Sequence, residues 1–191
     1  MATGTKWLSM RGLAAFASGA VAAIIVSRIL PPLVAQATGA ARAVAGRDPF
    51  DALAQDHRQI LFLLNEMERS PNDAVFHRTQ HLLRLKRRLT AHALAEEDVI
   101  YPLLHDQAHE IDDTKRLYGE HAEMKMLLFA LEQIPKDDPR WLNRVGDLKA
   151  LIAEHVYQEE NIDFPKLRQL LGRQAIVRLS GSVQREKAFV L

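Results

Sequence analysis

Four stretches of this chain repeat apolar residues at intervals of three and four positions, and each stretch carries a histidine on the same stripe. This spacing matches the period of an α-helix that buries one face, whereas strand-like alternation is poor between Arg47 and Leu171. Polar or proline-containing links around residues 70–73, 112–113 and 135–139 separate the stretches. The sequence therefore predicts an all-α fold, an up-down-up-down antiparallel four-helix bundle, together with an N-terminal apolar helix.

The four stripes hold histidines and glutamates at positions where apolar residues are expected. An unpaired carboxylate buried in such a place costs several kcal/mol or undergoes a large pKa shift, so a cluster of these groups needs a partner. The stripes are Phe50, Leu53, His57, Ile60, Leu64 and Met67; Leu82, Leu85, Leu89, His92, Glu96, Val99 and Leu103; Leu117, His121, Met124, Leu128 and Leu131; and Trp141, Val145, Leu148, Ile152, His155, Glu159 and Ile162.

The second and fourth stretches share one sequence pattern. HALAEEDVIYPLL (92–104) and HVYQEENIDFPKL (155–167) agree in the histidine, in glutamates four and five residues later, in an aromatic residue at the ninth position and in proline at the tenth. Asp-His at 56–57 and Glu-His at 120–121 relate the first and third stretches in the same way. We therefore predict two helical hairpins of one design, which bring four imidazoles and two carboxylates together about a pseudo-two-fold axis.

This set of side chains suits a metal site. Residues four apart lie on one helix face, so His92 and Glu96 can reach one metal cluster, as can His155 and Glu159. The chain has no cysteine, which excludes disulfides, zinc fingers, iron–sulfur clusters and thiol catalysis. Imidazole and carboxylate without thiolate suit iron, manganese or zinc, and the buried two-fold arrangement favours two iron ions.

These residues and their order resemble the hemerythrin-like (HHE cation-binding) domain family, over about residues 48–171. The resemblance implies a four-helix bundle around a non-haem di-iron site, with the histidines as terminal ligands and the glutamates as bridges. Solvent, an oxide bridge or a small ligand such as O2 would complete the irons. The implied metal ligands are His57, His92, Glu96, His121, His155 and Glu159.

One position departs from the respiratory hemerythrins, whose third helix carries two histidines four residues apart. Here His121 is followed at that spacing by Lys125, so reversible O2 transport is not expected. We expect a metal-binding protein more than an enzyme, one that binds or senses O2, iron, NO or peroxide. The alternatives are a di-iron enzyme that consumes O2, peroxide or NO, and a membrane-tethered structural bundle without metal.

Residues 1–47 form a cationic, apolar leader with five basic and no acidic residues, whereas the rest of the chain holds 20 basic and 24 acidic residues. A helix over residues 12–30 would be roughly 28 Å long, close to the ~30 Å thickness of a bilayer core. We expect a membrane anchor there. A cleaved export signal, an organelle presequence and a helix without membrane role are the alternatives, with an exported, imported or cytoplasmic protein as the outcome.

The remaining predictions concern organisation and residues outside the site. Residues 48–172 are expected to form the bundle and residues 173–191 a C-terminal tail, loosely ordered from 176 onward. The net charge of +1 gives no reason to expect a nucleic-acid partner, and the sequence leaves the oligomeric state open.

The basic run 84–88 is interpreted as a solvated helix face, with a membrane-apposed face as the alternative. Four histidines are not expected to be ligands: His77, His81, His105 and His109. Glu97 and Glu160 are expected on the surface, with contacts behind the ligands as the alternative. Tyr118 and Tyr157 are expected to pack in the core, with a hydrogen bond near the site as the alternative.

Overall fold

The computed structural model of the protein describes residues 30–41 and 48–190. These residues form helices, and none of them lies in a strand. The elements are α1, described over residues 30–41; α2, Pro49–Arg69; α3, Val75–Ala95; π1, Glu96–Ile100; α4, Tyr101–Asp106; α5, Ile111–Gln133; α6, Pro139–Gln158; π2, Glu159–Asp163; α7, Phe164–Leu170; and α8, Arg173–Val190.

Two helices of the bundle begin at an aspartate followed by proline. Asp48 caps α2 by accepting a hydrogen bond from the backbone N–H of Asp51 at 2.9 Å. Asp138 caps α6 through the N–H of Arg140 at 2.8 Å. A carboxylate satisfies an N–H that has no partner within the helix, and proline at the next position loses no helical hydrogen bond. Asp48 and Pro49 thus fix the start of α2.

The four long helices form a bundle in which α2 packs against α3 and α6, and α5 packs against α6 and α3. Two contacts show which parts of α6 and α7 lie beside the two ends of α2. The rings of Phe50 and Phe164 lie 5.2 Å apart near the start of α2, and Glu68 pairs with Lys149 at 2.5 Å near its end. The described residues therefore form a helical bundle without strands, and the up-down order of its helices stays a prediction.

Apolar side chains fill the bundle in two clusters, one on each side of the histidines along the helices. On α2, His57 lies between Leu53 of one cluster and Ile60 of the other; on α5, His121 lies between Leu117 and Met124. Polar groups at this level are therefore shielded from water at both ends, which strengthens every electrostatic interaction among them.

Each glutamate-glutamate pair of the repeated pattern begins a π-helical turn. Pro102 and Pro165 follow these turns and lie in the first turn of α4 and α7. Proline has no N–H to donate and its ring clashes with the carbonyl four residues earlier, so an α-helix cannot continue through it without distortion. The wider turn accommodates the proline, as π turns inside helices commonly do at functional sites.

The π turns shift the buried stripe by one residue, so the predicted stripe is wrong beyond the glutamates. Val99 and Leu103 are only partly buried, and Ile162 is exposed. Their places in the core are taken by the next residues along the chain, Ile100, Leu104 and Asp163. A π turn holds one more residue than an α turn, which rotates everything after it relative to the 3.6-residue period.

The loosely ordered tail predicted from residue 176 is wrong up to residue 190, because α8 packs against α3, α2 and π1. Leu179 and Val183 join the apolar cluster that contains Phe50, and each such burial contributes about 1.5–3 kcal/mol. The Ser180 hydroxyl donates to the Gly39 carbonyl of α1 at 2.9 Å. A Cβ on Gly39 would overlap the Ser180 carbonyl, so α1 and α8 approach as closely as glycine allows.

Among the residues that the structure describes, no helix is long and apolar enough to cross a membrane. The predicted anchor at 12–30 lies outside the described residues except for Leu30. Its role as anchor, signal or neither stays a prediction, as do the domain boundaries after residues 47 and 172.

Candidate metal centre

The six residues predicted as metal ligands lie together in the centre of the bundle. Each is at most 2% exposed. The histidines come from four different helices, and the glutamates are the first residues of π1 and π2. The six are His57, His92, Glu96, His121, His155 and Glu159.

The carboxylate of Glu96 lies between histidines of both halves of the bundle. Its Oε2 is 3.1 Å from His92 Nε2 and 3.5 Å from His121 Nε2, and its Oε1 is 3.7 Å from His57 Nε2. Glu96 therefore faces imidazoles of α2, α3 and α5 at once.

Glu159 has the corresponding position in the second half of the chain. Its Oε2 is 3.2 Å from His57 Nε2 and 3.4 Å from His155 Nε2. The ligating atoms of the centre fall into two sets, within each of which all atoms lie within 4.8 Å of one another. Glu96 belongs to both sets, which are His57, His92, Glu96 and Glu159, and Glu96, His121 and His155.

The outward nitrogen of each histidine, Nδ1, faces another carboxylate. A carboxylate that accepts a hydrogen bond from Nδ1–H leaves the Nε2 lone pair pointing inward and makes it a stronger metal ligand. The hydrogen-bonded pairs are His57 with Glu160 at 2.8 Å, His121 with Glu97 at 2.9 Å and His155 with Glu120 at 2.8 Å. His92 Nδ1 lies 3.6 Å from Asp56, which is beyond hydrogen-bond distance.

The π turns explain how adjacent glutamates serve two layers of the site. Glu96 and Glu159 point into the centre, while Glu97 and Glu160 reach the Nδ1 atoms of histidines on other helices. The sequence predicts that Glu97 and Glu160 lie on the surface. This is right for the contact of Glu97 with exposed Lys125 at 2.6 Å, and wrong for the contacts of both glutamates with the inner histidines. The sequence signal for the inner contact is the proline five residues after each.

Tyr101 breaks the two-fold symmetry of the centre. Its hydroxyl lies 2.8 Å from His121 Nε2 and donates to Glu159 Oε1 at 3.1 Å, and its side chain is buried. The equivalent residue of the other repeat is Phe164, whose ring stacks on His57 at 6.0 Å between centroids. One side of the centre therefore carries a phenol and the other a phenyl ring, a difference visible in the two sequence repeats.

Electrostatics in the centre favour charged imidazoles. Burial alone would lower the pKa of His57, but the close contacts of its Nε2 with the carboxylates of Glu159 and Glu96, and the charges of these groups, raise this pKa to about 10. Burial opposes the charge of His155 in the same way, and Glu159 and Glu120 raise its pKa to about 10. The two carboxylates thus attract positive charge into the centre.

The glutamates themselves stay ionised. Burial raises the pKa of Glu159, yet the charge of His155 and the close contacts of His155 and His57 with its carboxylate bring it well below 4.5. The pKa of Glu96 is also lowered, because His92 and His57 outweigh burial and the repulsion from Glu159. Two buried carboxylates facing one another need cations, and either protons on the imidazoles or metal ions can supply them.

The inner atoms have the arrangement that metal ions would require. Among the described residues, His57 Nε2, His92 Nε2, both Glu96 oxygens and Glu159 Oε2 are buried without a hydrogen-bond partner. Such atoms are rare in folded proteins, because each loses its contacts with water. Neutral imidazoles and carboxylates that converge at these distances fit divalent iron, manganese or zinc, so the residues present fit the group that the sequence implies.

Asp163 is a buried acid near the centre that the sequence analysis did not single out. Both of its carboxylate oxygens lack a hydrogen-bond partner among the described residues. Burial and the charges of Glu159 and Asp113 raise its pKa to about 6. It occupies the place of Ile100 in the other repeat, and this exchange of an apolar residue for an acid was its available signal.

The histidines outside the six remain apart from the centre. His105 pairs with Asp106 on the surface, and His77 and His109 are exposed. Neither they nor His81 belong to the two sets of ligating atoms. Tyr157 is 67% exposed, and Tyr118 donates to the backbone carbonyl of Glu97 at 2.7 Å. The core packing expected for the two tyrosines is therefore wrong, because both are exposed, and Tyr118 makes the hydrogen bond that was the alternative.

Comparison with known proteins places the chain in a family. The model of the hemerythrin HHE cation binding domain matches residues 48–167. The chain belongs to this family. A protein of Nostoc sp. (strain PCC 7120 / SAG 25.82 / UTEX 2576) named DNA nickase is 34% identical to the HHE chain over 122 residues, which are 64% of this chain and 34% of that protein. The chain thus spans about a third of the length of this relative.

Proposed function

We propose that the protein binds two non-haem iron ions in this centre, in an up-down four-helix bundle. His57 and His92 would hold one ion and His121 and His155 the other, with Glu96 and Glu159 as bridges. The observation that carries the proposal is the pair of ligand sets that share Glu96, lined by buried atoms without hydrogen bonds. Manganese and zinc are the alternatives for the same donor set.

The role that we propose for the centre is to bind or sense a small ligand such as O2, NO or peroxide. Bound iron would supply a redox-active, Lewis-acidic position for it. A cavity of about 100 Å³ reaches His121 and is lined mostly by apolar side chains, including Leu89, Leu94 and Met124. An apolar cavity of this size suits an uncharged diatomic molecule better than a larger polar substrate.

Tyr101 supports ligand binding on the side of His121 and His155. When a metal occupies His121 Nε2, the phenol loses that partner and can donate to Glu159 or to the small ligand. Phe164 offers no such donor next to His57. We therefore propose that the small ligand binds at the position beside Tyr101.

Azide titration of the iron(III)-loaded protein tests this proposal. We expect a saturable change in visible absorption, and Tyr101→Phe should weaken azide binding about tenfold, the effect of one hydrogen bond to a charged group. Tyr157→Phe, at an exposed position, should leave the affinity unchanged. An iron-loaded protein whose absorption does not respond to azide or NO would contradict ligand binding.

Catalytic turnover is the second candidate, and Asp163 is the observation that favours it. A buried acid with a pKa of about 6 beside Glu159 could deliver a proton during reduction of O2 or peroxide. Steady-state consumption of O2, peroxide or NO by the iron-loaded protein, lost in Asp163→Asn with iron content unchanged, would favour an enzyme. Stoichiometric binding without consumption would favour a sensor or a binding protein.

The relative named DNA nickase gives a third possibility to test. We propose that the region shared with it is the cation-binding domain and that nicking is not a property of this region alone. Incubation of the iron-loaded protein with supercoiled plasmid should leave the plasmid intact. Conversion to the open-circular form, absent in His92→Ala, would show that the shared region itself carries the activity.

A further inference from the structure

A groove on the outside of the bundle lies between α2, α3 and α8 and has a volume of about 770 Å³. Arg84, Arg87 and Arg88 line it from α3, Lys187 from α8, and Phe62 and Asp56 from α2. This volume is in the range of pockets that hold small organic ligands. The arginines belong to the basic run that the sequence suggests is a solvated face, but here they converge on a concave surface.

The groove has an excess of positive charge. Asp56 is its one acidic residue among those described, and it already pairs with Lys187. Arg84 and Arg88 make no hydrogen bond or ion pair with any residue that the structure describes. Lys86 belongs to the same run but lies on the other side of the helix, where it pairs with Glu132 at 2.5 Å. Two arginines without counter-charges on a concave surface, Arg84 and Arg88, favour an anionic ligand.

The residues at the edge of the groove indicate which anion. Guanidinium groups bind the oxygens of phosphate through paired hydrogen bonds. Phe62 is 60% exposed, so one face of its ring is available beside these cations. An exposed aromatic ring next to a basic groove is the combination by which proteins bind a nucleobase and its phosphate.

We propose that this groove binds a nucleotide, with the phosphate at Arg84, Arg88 and Lys187 and the base against Phe62. This site is separate from the metal centre and does not depend on it. The overall charge of +1 conceals it, because acidic residues elsewhere in the chain balance the local excess.

The groove also contacts the metal centre through one carboxylate. The Oδ2 of Asp56 pairs with Lys187 and also lies 3.6 Å from His92 Nδ1. A phosphate that attracts Lys187 would leave this oxygen to accept a hydrogen bond from His92 Nδ1–H, which holds the imidazole in place as a ligand. Nucleotide binding therefore raises metal affinity, a consequence that rests on the proposed metal site.

Binding of adenosine monophosphate to the metal-free 191-residue chain is tested by calorimetry. We expect saturable binding that weakens with added salt, at least tenfold weaker binding in the double variant Arg84→Gln/Arg88→Gln, and less than a twofold change in the charge-matched control Lys86→Gln/Lys115→Gln. Phe62→Ala should weaken the binding of adenosine monophosphate and leave that of inorganic phosphate unchanged.

Four results would overturn the nucleotide site. The first three are no binding of adenosine monophosphate, equally tight binding of adenosine, and an equal loss of affinity in the control variant. Much tighter binding of a single-stranded oligodeoxynucleotide would overturn it in favour of a nucleic-acid strand.

For the contact with the metal centre, zinc affinity is measured by chelator competition. Adenosine monophosphate should raise it about threefold or more in the wild type and not in Lys187→Gln. Unchanged zinc affinity at saturating nucleotide would refute the link alone, and a protein that binds nucleotide but no metal would refute only the proposed function.

Discussion

Metal binding should release protons, because two inner histidines are protonated in the metal-free protein. The glutamates raise the pKa of both His57 and His155 to about 10, against the effect of burial. A metal ion binds only the neutral imidazole, so both protons must leave. At pH 7 each histidine is about 3 pH units below its pKa, and the proton therefore weakens metal binding by roughly 10³-fold, or ~4 kcal/mol, for each of them.

Calorimetry of zinc binding in buffers of different ionisation enthalpy counts these protons. We expect about two protons per chain at pH 7 from His57 and His155, and up to one more from His92, whose pKa is also raised against the effect of burial, by Glu96 and Asp56. The product of the two apparent association constants should rise about 100-fold per pH unit near neutrality, since two protons are lost.

The control for proton counting is His77→Gln, which removes an exposed histidine from the same helix as His92. This variant should release the same number of protons as the wild type. Release of less than one proton, with metal affinity independent of pH between 6.5 and 8, would refute the reasoning, because the inner imidazoles would then already be neutral.

Three substitutions outside the six inner ligands test other parts of the structure. The raised pKa of Asp163, about 6 against 3.8, means that the folded protein holds a proton which the unfolded chain has lost, so stability falls as pH rises through this window. Asp163→Asn should therefore stabilise the metal-free protein by about 1–3 kcal/mol at pH 7 and not at pH 3.5, measured by urea unfolding; equal stability at pH 7 would argue against it. Glu160→Gln should lower zinc affinity about tenfold or more, and Glu123→Gln, at an exposed position, should not; equal affinity would exclude a role for the His57 contact. Arg78→Met should lower the free energy of unfolding, measured in urea, by about 2–4 kcal/mol, because buried Arg78 donates hydrogen bonds to Ser70, Asn72 and the Lys136 carbonyl. A decrease of less than about 1 kcal/mol would contradict this.

The inner part of the centre could be predicted because its signal is local. A histidine followed four residues later by glutamate lies on one helix face in any α-helix, and repetition of this pattern relates His92 to His155. The apolar period around each histidine then places it in the core. Helix period and residue type therefore suffice to bring the six residues together.

The outer layer could not be predicted from the same period. The π turns rotate the chain after Glu96 and Glu159, so Glu97 reaches His121 and Ile100 replaces Val99 in the core. Only Pro102 and Pro165 signal this change. Asp56 and Glu120 reach histidines on neighbouring helices, and such contacts depend on packing between helices that a single stretch of sequence does not specify.

Helix α8 was missed for a similar reason. Its segment has a weak apolar pattern, and its order comes from contacts with distant parts of the chain. Leu179 packs in the bundle core, Ser180 bonds α1, and Lys187 pairs with Asp56. Tertiary packing of this kind commonly decides whether a marginal helix forms.

The most direct test of the central proposal is the iron content of the full chain after loading with iron. We expect two irons per chain in the wild type and in Lys125→Ala, whose side chain is exposed and pairs with Glu97. His92→Ala and Glu159→Ala should each lose most of the iron while remaining folded by circular dichroism. Two irons retained by both of these variants would contradict the proposed centre.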